Sequence, residues 1–389
     1  MPTPLYKILL PSPNGYCLAG NPVIVGFWVG ESQSARYRVY TGTNFDVLEY
    51  DGVVSSLTDW AKVDIASLFS EMKINAGVLR AKILMVDNSG TEYGQSENTP
   101  ANEPVISVFG GAISKLLIRY LAKSNTDIFS WKLKNSTTNF FLTTRTNSYT
   151  ICVPENELLP LYYYAKGLKF DIKANDEVVL SKDHTTDAVD SLQNIDFSSL
   201  RLSLVASKNK LISDFRIVTA QGWSCTLVIT QAEVKSDFQL KFKNSWGVYE
   251  KISIGGPVKY TPTTSEAVKI NEYDDVISGF VSTSDRNSMT SIYTAELGYK
   301  TALERLFILD MLMKRSVVLI AYDREYGCNV SSDTSLISST SGDTVLINLK
   351  IELHDADEFY SPLFDDSDYS VLASSDGSEI TADGANILV

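Results

Sequence analysis

The chain has 389 residues, of which 44% are hydrophobic. It is too long for one ordinary domain and too apolar for wholesale disorder. Only two histidines argue against metal or acid–base chemistry, and a net charge of −13 argues against binding nucleic acid.

Residues 1–104 read as a β-sandwich-like domain. Pro22–Val29 is a strongly apolar strand, and Ala35–Tyr40 alternates apolar and polar residues. Asp51-Gly52 predicts a hairpin turn between Val47–Tyr50 and Val53-Val54. Thr58–Phe69 reads as a short helix or an extended edge piece. Val78–Val86 reads as a buried strand followed by a turn at Asp87–Gly90. Gln95–Pro104 is polar, carries two prolines and is the best linker candidate.

Residues 105–237 read as a second β-rich domain. Val105–Leu121 permits a helix from Ala112, with Gly110-Gly111 as a loop before it. Phe140–Arg145 and Tyr149–Val153 read as paired strands. Pro154–Tyr164 reads as a connection ending in Tyr162, Tyr163 and Tyr164. Strands are expected at Lys169–Ile172 and Glu177–Leu180, around Asn175-Asp176, and again at Leu200–Val205, Ile212–Val218 and Ser224–Thr230. Asp183–Asp196 reads as a polar insertion.

Residues 238–361 read as an α+β domain. Phe238, Leu240 and Phe242 alternate with Gln239, Lys241 and Lys243, which marks a half-buried strand. Asn244–Gly247 turns the chain around Trp246, and Val248–Ile254 alternates again. Pro262–Glu272 reads as a polar connection, Val276–Val281 as a short strand, and Ser291–Leu297 as an alternating one. Residues 301–314 carry the clearest helical pattern: strong formers, no Pro or Gly, and apolar residues at three- and four-residue steps. Arg315–Tyr322 and Thr344–His354 read as strands.

Residues 362–389 form an acidic C-terminal arm. No Lys or Arg follows Lys350, whereas ten acids do, so the rest of the chain is nearly neutral. The arm is either a solubilising tail or a segment that docks on a basic neighbour, and Asp365, Asp366 and Asp368 are its densest cluster. Ser378–Leu388 has the character of a strand in need of a sheet edge. The cysteines, Cys17, Cys152, Cys225 and Cys328, lack metal-type spacing and read as lone buried thiols. The apolar run near the N-terminus is too short for a signal peptide, and no stretch approaches a membrane span. A reducing cytoplasm is therefore the expected place of synthesis.

Chemistry is sparse. His354 and Asp355 to Glu358 crowd one imidazole and three carboxylates into five residues, but a strand sends alternate side chains to opposite faces. His184 lies in the polar insertion and reads as an ordinary loop residue. Asp365–Asp368 lacks the later Gly and Glu of a calcium loop. No catalytic residue, metal or cofactor is expected. Five tryptophans, at 28, 60, 131, 223 and 246, leave glycan stacking as an alternative role, although most tryptophans are core anchors.

Several stretches together resemble structural virion proteins, tail or tail-tip associated, of phages and prophages of Bacteroidetes. They are FKNSWGVYEKI (242–252), LERLFILDMLMKRSVVLIAYD (303–323), Val345–Leu353 with Asp355-Ala356-Asp357, and FFLTTRTNSYTICVPENELLPLYYY (140–164). The resemblance implies a non-enzymatic structural subunit, made in the host cytoplasm and built with other virion subunits into the particle. A homo-oligomeric ring is the expected assembly, with no membrane or nucleic-acid partner. The alternative is a glycan-binding or adhesion module that recognises a host-surface glycan. The expected fold is mainly β: sandwich-like domains, one α+β region and the acidic arm. The expected contact residues are Trp246, Tyr162, Tyr163, Tyr164, Asp365, Asp366 and Asp368.

Overall fold

The computed structural model describes residues 6–10, 16–29, 33–42, 44–70, 78–86, 89–93, 105–124, 140–145, 149–187, 191–209, 211–220, 222, 224–232, 237–314, 317–322, 324–332, 344–357, 381–382 and 385–386. The fold is mainly β, with several sheets and four short helices among these residues. The linker candidate 95–104 and the acids Asp365, Asp366 and Asp368 lie outside them.

In the first region, β1 (Tyr6–Leu10), β3 (Ile24–Trp28) and β6 (Trp60–Asp64) form a small sheet in the order β1-β3-β6. A larger sheet runs β2 (Tyr16–Leu18), β9 (Val105–Phe109), β7 (Val78–Val86), β4 (Ser34–Thr41), β5 (Val47–Ser55), with β8 (Glu92–Tyr93) beside β7. Val25 and Phe27 of the first sheet share one core with Tyr37, Val39, Ile83 and Val108 of the second, which makes a sandwich. Thr58–Phe69 supplies both of its expected forms, β6 and then α1 (Ala66–Ser70).

The hairpin expected at Asp51-Gly52 is not there. β5 runs straight through it and pairs with β4 along its length, Arg38 opposite Asp51 and Tyr37 opposite Gly52. Asp51 accepts two hydrogen bonds from Arg36 at 2.7 Å and one from Arg38 at 2.8 Å. These guanidiniums hold its carboxyl down to about 2. Gly52 serves packing here: a Cβ would sit 2.3 Å from the Tyr50 ring, which lies over the glycine.

The middle region contains β10 (Thr150–Pro154), β11 (Leu161–Tyr164), β12 (Lys169–Ala174), β13 (Glu177–Asp183), β14 (Leu192–Ile195), β15 (Asp214–Thr219) and β16 (Ser224–Thr230). A five-stranded sheet, β10-β16-β15-β12-β13, packs over the β11-β14 pair and a helix. Asn175 and Asp176 both have positive φ, 50° and 64°, as a two-residue hairpin turn of the twisted kind requires. Several expectations fail in this region: the connection at Pro154–Tyr164 ends in β11 and the insertion at Asp183–Asp196 contains β14, which pairs with it. Phe140–Arg145 is not a strand, and β10 pairs in parallel with β16 instead. Leu200–Val205 belongs to a helix, α3 (Phe197–Lys208), which follows α2 (Lys115–Lys123) in the chain. The Asp196 side chain accepts from the Ser198 and Ser199 amides to start it, and Asn209 ends it at φ 49°. Phe197, Leu200 and Leu204 face the core at helical spacing.

The third region is one seven-stranded sheet in the order β18-β17-β21-β22-β23-β20-β19. Its strands are β17 (Phe238–Lys243), β18 (Tyr249–Ser253), β19 (Val258–Asp274), β20 (Gly279–Lys300), β21 (Val317–Ala321), β22 (Arg324–Ser331) and β23 (Val345–Asp357). The helix α4 (Ala302–Leu312) closes one face with Phe307, Ile308 and Met311. Its start is a capping box, in which Thr301 and Glu304 each satisfy the other's backbone amide. At the C-terminal end β24 (Thr381–Ala382) and β25 (Ala385–Asn386) pair with each other.

The largest departure from expectation lies between residues 258 and 300. Pro262–Glu272 is strand and not a polar connection, and Val276–Val281 is divided between a turn and the start of β20. β19 and β20 form one continuous hairpin, and residues 275–278 are its turn. β19 is an edge strand, the one sheet position that tolerates Pro262.

Candidate functional site

Two features stand out: a buried junction around Asn244–Gly247 and the β19–β20 arm. The junction begins with an Asx turn. Asn244 Oδ1 accepts from the Trp246 amide at 2.9 Å and the Val248 amide at 3.3 Å. The other end of that side chain donates to the Leu142 carbonyl at 2.7 Å and to Glu250 at 2.8 Å. Ser245 gives its amide to Asp310 of α4 at 2.9 Å and also hydrogen-bonds it through its hydroxyl, while its carbonyl accepts from Ala112 at 2.8 Å. With Leu18 packed on Trp246, all three regions meet on these four residues.

Gly247 is required there. Its φ is 79°, and a Cβ would lie 2.6 Å from the Gly110 carbonyl carbon. Gly111 answers it from the other side, at φ 99°, with a Cβ position 2.2 Å from the Ser245 carbonyl oxygen.

Trp246 is only 9% exposed and packs with Leu18, Phe109, Leu121, Leu142, Tyr164 and Val248. Tyr163 and Tyr164 are buried and Tyr162 is half-buried, all three on β11. The expected contact surfaces at Trp246 and the tyrosines thus face inward, because the apolar area of these rings is worth more against a core than in water. Trp246, Tyr162 and Tyr164 join regions of this chain, and Tyr163 packs in the core of the middle one.

Glu250 is buried beside the turn. It accepts from Thr143 at 2.5 Å, Thr144 at 3.0 Å and Asn244 at 2.8 Å. Burial pushes its carboxyl above the ordinary range, against the opposing pull of the Arg145 charge and these hydrogen bonds. Arg145 bonds Glu157 at 2.5 Å and the Lys251 carbonyl, and lies 3.9 Å over the Phe307 ring. The segment 140–145, irregular in backbone, is the plug that carries these groups from the middle region into the third.

Both histidines are held in hydrogen bonds within their own regions. His184 Nδ1 lies 2.9 Å from Asp187 and its Nε2 3.1 Å from the Tyr163 hydroxyl, which pins the loop after β13. Burial, with Asp187 nearby, pushes the Tyr163 hydroxyl up to about 12. His354 is exposed and contacts Asn329 at 3.2 Å. No group of three or more His, Cys, Asp or Glu among the described residues is placed to hold a metal, and no described helix is long and apolar enough to cross a membrane. Cys17, Cys225 and Cys328 are buried as expected, whereas Cys152 is exposed. Trp28 and Trp60 meet edge to face at 5.5 Å across β3 and β6.

The arm is the reverse of the junction. Among the described residues β23 pairs with β20 from Lys300 to Met289, and beyond that point the described ladder has two strands. Residues 265–274 pair with residues 279–288 in this two-stranded stretch, which is about 33 Å long at ~3.3 Å per residue. Two-stranded hairpins are marginal in water. Yet the tip is apolar: Val276 is 92% exposed, Phe280 74% and Ile277 60%. Tyr273 lies opposite Phe280 with ring centroids 5.3 Å apart, and Asp274 accepts from the Val276 amide at 2.7 Å to set the turn. Sequence reasoning missed this element, although the run Asp274–Phe280, with two apolar residues inside a turn, was a usable signal.

No protein-family model matches the chain, and no curated protein is similar to it in sequence.

Proposed function

We propose that the protein is a structural subunit that works by binding other copies of itself, in the manner of a phage tail component, and that the β19–β20 arm is what reaches the neighbour. The apolar tip carries this reading. A two-stranded arm that ends in Val276, Ile277 and Phe280 in water costs free energy, which contact with another chain returns. The likeness of residues 242–252 and 303–323 to virion structural proteins supports the placement in a particle, and a ring is the closed form such contacts favour.

The test is the solution mass by light scattering, with negative-stain imaging, of the full chain and of a chain whose residues 265–288 are replaced by an Asn-Gly turn. The expected result is a closed oligomer for the full chain and a folded monomer for the shortened one. A shortened chain that assembles as well as the full one contradicts the reading. So does a full chain that stays monomeric at every concentration, which would favour the glycan-binding alternative.

A further inference from the structure

We infer that the tip of the arm docks in the cleft between the middle and third regions of a second copy of this chain, so that copies join head to tail. This rests on the assembly reading above and names the surface that receives the arm. The cleft measures about 590 Å³ and lies between β10 and α4. Its size falls in the range of roughly 300–1,000 Å³ that encloses compact, mostly apolar ligands, and three apolar side chains on a turn are such a ligand. Ile252, Leu297, Leu303 and Phe307 give it apolar walls. Leu303 is half exposed there although it stands on a core-packed helix.

The polar groups match as well. Lys300 stands at the rim with its contact to Glu304 stretched to 3.7 Å, and that carboxylate already serves the cap of α4. The tip presents Asp275 beside its apolar residues, a charge of the opposite sign.

A chain cannot fill its own cleft. β20 runs 22 residues from Gly279 at the tip to Lys300 at the cleft rim, which at ~3.3 Å per residue separates them by about 70 Å. The occupant must come from another copy. Because tip and cleft are different surfaces, the contact is heterologous, and repetition closes a ring or extends a filament.

Cys152 lines the cleft and is exposed, which supplies the test. In the full chain carrying Ile277→Cys, a mild oxidant such as diamide removes two electrons and two protons from the paired thiols and forms one disulfide between copies. Val276→Cys serves as a second probe of the same contact. The expected result is a ladder of covalent multimers on a non-reducing gel that disappears when Cys152→Ser is added, with the mass in solution unchanged. A variant that assembles yet gives no ladder, or a ladder that survives Cys152→Ser, overturns the inference and leaves the assembly reading standing. If the wild-type chain is monomeric throughout, the assembly reading falls first and this inference with it.

Discussion

The junction and the arm use the same kinds of residue to opposite ends. At Asn244–Glu250 an aromatic side chain is sealed between three regions, and every buried polar group named around it has a partner. At Tyr273–Phe280 aromatic and aliphatic side chains stand in water on two strands that nothing else in the described chain supports. The first arrangement spends its apolar surface inside the molecule, and the second leaves it for another. An exposed aromatic is evidence of an interface only where the local fold has not already consumed it, and Trp246 shows how a corner that looks outward in sequence can turn in.

Damage to the junction should unfold the chain. The largest effect is expected from Gly247→Ala. Its φ of 79° and the collision with Gly110 at 2.6 Å together should cost about 3 kcal/mol, seen as a lower thermal midpoint. Glu250→Ala comes next. It strands Asn244, Thr143 and Thr144 without their shared acceptor and leaves a void, for about 2–3 kcal/mol by denaturant titration.

Glu250→Gln sharpens the point through pH. The folded state raises this carboxyl above its ordinary value of 4.5, so it binds a proton more tightly than the unfolded chain does. Its stabilising contribution is therefore full below about 4.5 and fades as pH rises through the folded-state value. The Gln variant should flatten that part of the stability curve between acid and neutral pH, and an unchanged slope would assign the dependence to other groups. Thiol labelling of the native monomer should modify Cys152 alone, because burial pushes the Cys17 and Cys328 thiols up and shields them. Mass spectrometry after a brief maleimide pulse counts the labels. The smallest effect on folding belongs to the tip. Phe280→Ser should change stability by less than about 0.5 kcal/mol while abolishing assembly.

The same contrast explains what the sequence disclosed. Alternation was informative wherever one strand face is buried, as in Ala35–Tyr40, Phe238–Lys243 and Val345–Leu353. The helix at 302–312 declared itself by strong helix formers and apolar spacing, and the structure adds the Thr301–Glu304 capping box. The strands of the arm left no alternation to read, because a hairpin with solvent on both sides has no buried face to impose a period of two, and only the apolar turn at Val276-Ile277 marked it. Leu200–Val205 misled because a short apolar run fits strand or helix alike, and only the Asp196 cap decides. Asp51-Gly52 misled because Asp51 was recruited to a salt bridge with β4 and Gly52 to a contact with the Tyr50 ring on β5 itself. Of the candidate site, the corner at Trp246 was found and its direction was not, since burial of a turn depends on segments more than a hundred residues away, such as Leu142 and Gly110.

The central claim is that the arm tip, and not the buried corner, joins one chain to the next. Light scattering of the wild-type chain beside an Ile277→Asp, Phe280→Asp double variant, across a hundredfold range of concentration, tests it most directly. The account predicts an oligomer for the wild type and a monomer of unchanged thermal midpoint for the variant. Equal masses for the two at every concentration would contradict it.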